Sequence, residues 1–247
     1  LNRSSFNDVP APVNSKALKR LQEAGIDAQL AKHVAHLFIR DPLVVYEAKL
    51  EQDDQHDNDH FENIQSTNWN TVRFKPPPAN NPHDIKWRVE FRSMEVNLTD
   101  FENAAFSVFM ILLTKAIKSQ RLDLYMPLSK VDENMARAHR RGAALNERFH
   151  FRQHVERKGG FAAADPSPVV AELSLDQIIN GDAAAGVTGL KEFIVRHLDA
   201  EGCTGEVRAR LDKYLELVGA RASGALPTAA AWIREFVVSH PGYGKDS

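Results

Sequence analysis

Residues 87–95 read Trp87-Arg88-Val89-Glu90-Phe91-Arg92-Ser93-Met94-Glu95. Large apolar side chains alternate with charged ones. Trp87, Val89 and Phe91 fall on one side, and Arg88, Glu90 and Arg92 on the other. A period of two is the signature of a half-buried strand, and a central strand is expected over 86–97. Side chains two apart on one strand face lie roughly 6.5–7 Å from each other. A carboxylate between two guanidiniums at that spacing is able to grip different atoms of one phosphorylated substrate. Glu90 would be a hard oxygen ligand, and magnesium is held by few carboxylates plus substrate phosphates. Arg88 and Arg92 supply planar forks that match phosphate or carboxylate oxygens. The same three charges also suit a cross-strand ion-pair ladder on a solvent-facing sheet.

Working outward, residues 61–75 read as strand, turn, strand, ended by Pro76-Pro77-Pro78. Asn68, Trp69, Arg73 and Lys75 would add polar groups and an aromatic wall to the same pocket, or Trp69 would simply be core. Upstream, a helix is expected after Asn14 or Ser15, stopped by Gly25, and a second over 27–38. A short helix or strand covers 43–50, and the acidic run 51–60 with His56 and His60 is a solvated loop or a metal site. Downstream, Thr99 and Glu102 form a capping box at the head of a long helix. The apolar run 104–113 is too short to span a bilayer. Ser129 and Asp132 open a further helix running to about residue 158, carrying Arg137, Arg140, Arg141, Arg148 and Arg152. That helix presents a solvated face or a surface for phosphate or an acidic partner. A Gly, Ala and Pro loop over 159–168 precedes helices over 173–180, 190–198, 205–222 and 228–240. The class is α+β, with strands in the first half and a mostly helical second half.

The 247 residues carry 31 Lys and Arg against 33 Asp and Glu, so no strongly basic face points to nucleic acid. No segment reads as a membrane span. The single cysteine, Cys203, excludes an internal disulfide framework and fits a reducing compartment, expected to be the cytoplasm. No Gly-rich phosphate loop is present. His33 and His36 lie three apart on a helix, as a zinc pair or as packed histidines.

Longer words carry a resemblance. They are His60-Phe-Glu-Asn-Ile-Gln-Ser-Thr-Asn-Trp69, Arg73-Phe-Lys-Pro-Pro-Pro78, Trp87-Arg-Val-Glu-Phe-Arg92, Leu98-Thr-Asp-Phe-Glu-Asn-Ala104 and Pro127-Leu-Ser-Lys-Val-Asp-Glu-Asn-Met135. His33-Val-Ala-His-Leu-Phe-Ile-Arg-Asp-Pro42, Arg221-Ala-Ser-Gly224 and His240-Pro241 add to them. In this order they resemble the catalytic subunit of eukaryotic glutamate–cysteine ligase, in the glutamine synthetase-like superfamily. The resemblance implies part of an antiparallel sheet funnel, with strands mainly over 60–97, followed by a mostly helical half. Residues 1–128 would be the sheet-forming part with packing helices and 129–247 the helical part, with the N-terminal portion of the enzyme absent.

The resemblance implies ATP- and magnesium-dependent joining of the glutamate γ-carboxyl to the cysteine amine through a γ-glutamyl phosphate, the first step of glutathione synthesis. It implies catalytic roles for Arg88, Glu90 and Arg92. Glu90 would be a magnesium ligand and Arg92 a substrate-binding arginine. Arg88 would lie near phosphate, and Trp69 would wall the cysteine pocket. Lys86, Ser93 and Asn97 depart from the usual Gly, Pro and Gln without removing a charged site residue. L-glutamate, L-cysteine and ATP are the expected partners, with a modifier subunit or a homodimer. Most magnesium-binding glutamates would lie in the absent portion, so the chain is expected to be inactive alone. The alternative is a non-catalytic module whose helical half docks a regulatory subunit or a second copy.

Overall fold

A computed structural model describes residues 6–53, 55–68, 71–78, 81–94, 97–156 and 169–245. The chain divides into two compact units, one of Pro10–Glu95 and one of Leu1–Val9 with Val96–Ser247.

In the unit Pro10–Glu95, helix α1 (Ser15–Glu23) starts where Asn14 accepts the amides of Lys16 and Ala17. Helix α2 (Ala28–Leu37) starts where Asp27 does the same for Gln29 and Leu30. Both caps satisfy amides that have no partner within their helix. Between them Gly25 takes φ +80°, which a side chain would resist. Asn14 also gives its backbone N–H to Ala35 and its side-chain amide to the Phe38 carbonyl, so one residue joins the two helices. A single 3-10 turn, Glu47–Lys49, precedes α3 (Asp59–Asn68). Strands β1 (Val72–Lys75) and β2 (Arg88–Phe91) form an antiparallel ribbon.

The strand-turn-strand expected over 61–75 is therefore half wrong, since its first part is helix α3. Phe61, Ile64 and Gln65 repeat at helical spacing, with Ile64 and Gln65 buried. Asp59 and Glu62 sit in the first turn, where the helix dipole favours acids. The central strand is also shorter than 86–97.

In the second unit, α4 (Asp100–Gln120) is the spine. The expected capping box is present, with Thr99 and Glu102 satisfying each other's amides. Helices α5 (Leu128–Ala138) and α6 (Ala143–Asn146) follow, then β3 (Phe149–Arg152) paired antiparallel with β4 (Val170–Leu173). Helices α7 (Leu175–Asn180), α8 (Leu190–Ala200), α9 (Gly205–Ser223) and α10 (Ala229–Ser239) complete it. The core lies where α4 meets α8 and α9: Phe109, Leu112, Leu113 and Ala116 pack with Phe193, Ile194 and Val218. Gly219 lets α7 approach α9, because a Cβ there would lie 2.5 Å from the Asn180 side-chain oxygen.

The single helix expected from Ser129 to about residue 158 is corrected. Gly142 takes φ +69°, and Phe149-His150-Phe151-Arg152 alternates as a strand. Ser129 caps nothing. The helix begins at Leu128, and Ser129 donates its amide and hydroxyl to Asp8. Among the described residues the strands form two separate two-stranded sheets with ten α-helices, an α+β arrangement. No described helix is long and apolar enough to cross a membrane.

Arg152 and Asp123 are 6% and 1% exposed, with 3.6 Å between Arg152 Nη1 and Asp123 Oδ1. Removing one partner of a buried pair strands the other charge, so Arg152→Met is expected to cost about 3–5 kcal/mol in urea unfolding. Loss below about 1 kcal/mol would mean the pair is solvated.

Candidate functional site

The ribbon sorts its side chains by parity. Val72 pairs with Phe91 and Phe74 with Val89 on one face; Arg73 pairs with Glu90 and Lys75 with Arg88 on the other. The apolar face is the open one. Trp87, Val89 and Phe91 are 44%, 54% and 46% exposed, and Phe74 stacks on Trp87 with ring centroids 4.6 Å apart. The charged face turns toward α3. Burial of this ribbon thus falls on the charged side, the reverse of what its apolar residues imply.

Glu90 sits at the centre of that face. One carboxylate oxygen, Oε1, accepts from Arg92 Nε at 2.5 Å and lies 3.9 Å from Arg73 Nε. The other, Oε2, is 3.4 Å from the Lys75 ammonium. The hydrogen bond from Arg92 and the charges of Arg73 and Lys75 hold the Glu90 carboxyl below the ordinary glutamate range, against a smaller opposing effect of burial. Arg92 also donates to the Ser66 carbonyl on α3 at 2.8 Å, and Arg73 reaches Glu62 on α3 at 3.6 Å. Arg88 donates to the Pro76 carbonyl at 2.8 Å.

An open pocket of about 380 Å³ lies against this face. Lys49, Arg73, Lys75 and Arg88 line it together with Asp59 and Glu62. Lys49 is ion-paired with Asp59 at its edge, which raises the lysine pKa. Four cations against two carboxylates leave the lining with an excess of positive charge, which suits an anion.

Of the residues singled out from sequence, Arg88, Glu90 and Arg92 share this face, and Arg73 and Lys75 join them from β1. Trp69 lies outside the described residues. Lys49, Glu62 and Ser66 were not singled out, and Asp59 only as part of the acidic run 51–60. The signal was available: Asp59, Glu62, Asn63 and Ser66 recur at helical spacing and all line the pocket. It was hidden by reading the segment as strand. His33 and His36 do not converge on a metal. His36 Nδ1 lies 2.7 Å from the Pro12 carbonyl and His33 meets the edge of Phe74. Among the described residues no three His, Cys, Asp or Glu side chains cluster as a metal site. Cys203 is half-buried against the core of the other unit.

A family model described as glutamate-cysteine ligase matches residues 1–247. The chain is 48% identical to the glutamate–cysteine ligase catalytic subunit of Mus musculus over 98% of its own length and 39% of the mouse protein. It is 43% identical to the glutamate–cysteine ligase of Dictyostelium discoideum, covering 99% of this chain and 38% of that protein. For the Saccharomyces cerevisiae enzyme the values are 42%, 98% and 37%. The chain therefore spans less than two-fifths of the length of these relatives.

Because the folded Glu90 carboxyl binds its proton less readily than the unfolded one, the unfolded state takes up more protons as pH falls. The stabilisation from Glu90 is fully present above the ordinary value of 4.5 and is lost below it, through the lowered folded pKa. Urea midpoints measured from neutral pH to acid are expected to fall, with Glu90→Gln flattening part of that slope. An unchanged slope in the variant would show that the carboxylate is not held by these cations.

Proposed function

The chain belongs to the glutamate–cysteine ligase family, and from that premise we propose that it forms one wall of a site joining the γ-carboxyl of glutamate to the amine of cysteine with ATP. The observation that supports this is an ionised Glu90 set among Arg73, Lys75 and Arg92, with Arg88 on the same face. In this reading Arg92 and Arg88 receive anionic oxygens of the substrates. Their fixed charges offset the negative charge that spreads over a transferring phosphoryl group, without rearranging as it develops. Holding the acyl phosphate beside the amine replaces a bimolecular encounter. Trp69, outside the described residues, is the proposed wall of the cysteine pocket.

ATP is proposed to enter as its magnesium complex. Glu90 offers that ion one oxygen donor, but both of its oxygens face cations and no cluster of metal-ligating side chains surrounds it among the described residues. This donor set does not fit a magnesium ion caged by the chain alone. Glu90 is proposed as one ligand among several, the others coming from the longer protein. The single cysteine suits a reducing compartment, and the cytoplasm is the location proposed.

One observation favours a docking role for the helical part as well. Helix α10 leaves Trp232, Ile233, Phe236 and Val237 exposed, as a helix awaiting a cover does. A regulatory subunit or a second copy is the partner proposed there.

The test is ADP release by the complete protein with magnesium, glutamate and cysteine. Release is expected to need both amino acids, and Glu90→Gln to lower it by on the order of 10²-fold or more. The 247-residue chain alone is expected to release none. A folded Glu90→Gln protein running at the wild-type rate would remove Glu90 from the site, and ADP release by the isolated chain would show that its site is complete.

A further inference from the structure

On the apolar side of the β1–β2 ribbon, a second open cavity of about 420 Å³ lies against the start of α2. Asp27, Gln29, Leu30, His33, Phe74 and Trp87 line it, all within the unit Pro10–Glu95. Half of these residues are aromatic rings. Phe74 and Trp87 are stacked with 14° between their planes, and His33 meets Phe74 edge-on at 6.3 Å. One lining residue is an acid, and among the described residues that line the cavity none is a lysine or an arginine. Burial, and after it the neighbouring His36, lowers the His33 pKa, so near neutral pH its ring is an uncharged wall. Asp27 is the N-cap of α2. Its Oδ1 accepts the amides of Gln29 and Leu30 at 3.1 Å, which leaves Oδ2 outside the cap.

We infer that this cavity is a binding site for an organic cation of the quaternary ammonium class, held by Phe74 and Trp87 and balanced by Asp27. The face of an aromatic ring is negative and attracts a cation placed over it. A primary ammonium brings three N–H donors and a guanidinium five, and one carboxylate oxygen leaves most of them without an acceptor. A donor taken from water without a partner is costly. A quaternary ammonium has no N–H to satisfy. Its charge is spread over methyl groups, which pack on ring faces and part from water more easily. An aromatic wall with a single open carboxylate oxygen therefore selects it. None of the lining residues has a role in the ligation proposed above, and the cavity lies on the ribbon side turned away from Glu90.

The indole N–H of Trp87 reports on the cavity directly. It is followed by ¹⁵N NMR and identified as the tryptophan signal lost in Trp87→Phe. Choline chloride is titrated at constant ionic strength into the 247-residue chain and into the complete protein. In both, the Trp87 signal is expected to shift saturably in the millimolar range. The neutral isostere of choline, with carbon in place of nitrogen, is expected to leave it nearly unmoved. A peptide carrying trimethyl-lysine separates the sources of the cation. Tighter binding of choline points to a free amine, and tighter binding of the peptide to a modified protein side chain. Asp27→Asn removes the charge and keeps the cap, since asparagine caps as well as aspartate, and is expected to weaken choline binding about fivefold. Phe74→Leu is expected to weaken it severalfold. A quaternary ammonium site is ruled out if choline does not saturate or if the isostere moves Trp87 as far. It is ruled out equally if Asp27→Asn binds as the wild type does, or if the complete protein does not bind what the chain binds. Choline against its isostere on the wild type decides the matter should a variant fail to fold.

Discussion

Side chains on a two-stranded ribbon have only two directions, and in β1–β2 that constraint gathers every charge on one face. Arg73, Lys75, Arg88 and Glu90 cannot be divided between core and solvent without shifting the register by one residue, which would exchange the faces entirely. Whatever packs on the charged side must therefore be polar. Helix α3 answers this with Glu62 toward Arg73 and the Ser66 carbonyl toward Arg92. The apolar side is left with Phe74 and Trp87 stacked on each other and half open to solvent.

The other unit solves a different problem. Its core is apolar and is built on α4, but the start of that helix is tied down by charge. Arg221 on α9 donates to Asn97 at 2.5 Å and to Glu102, while its guanidinium lies 5.6 Å from the Phe106 ring centroid. Glu102 is thus shared between the capping box and the ion pair. One carboxylate fixes both where α4 begins and where the end of α9 lies against it. That is why Leu98-Thr-Asp-Phe-Glu and Arg221-Ala-Ser-Gly, far apart in sequence, answer to one piece of geometry.

Local chemistry was legible in the sequence wherever one or two residues decide the outcome. The helix start after Asn14, the Thr99 capping box and Gly25 as a stop need nothing beyond their neighbours. Helices α8, α9 and α10 were legible because their apolar periodicity is long. Helix α3 was not, because its polar face is what packs: a helix whose Asp59, Glu62 and Ser66 serve a charged ribbon lacks the apolar stripe that announces a helix. Strand β3 was missed for a related reason. His150 and Arg152 are buried, so the residues that read as a solvated helix face are the inward ones. At the candidate site the charged residues themselves were legible, but not which side of the ribbon would be covered, since that depends on a segment whose class was misread.

The register also bears on the choice between a structural ladder and a receptor. Arg73 opposite Glu90 is an opposite-charge pair, which stabilises a ribbon. Lys75 opposite Arg88 is a like-charge pair, which destabilises one. A sheet face selected only to hold itself together gains nothing from two cations at directly opposed positions. Glu90 offsets part of the repulsion, since its second oxygen lies 3.4 Å from Lys75, but it is already shared with Arg92 and Arg73. The excess positive charge is therefore left for something outside the ribbon to balance. An anion in the adjoining pocket would supply that balance, and it is the interaction that a purely structural account of these residues lacks.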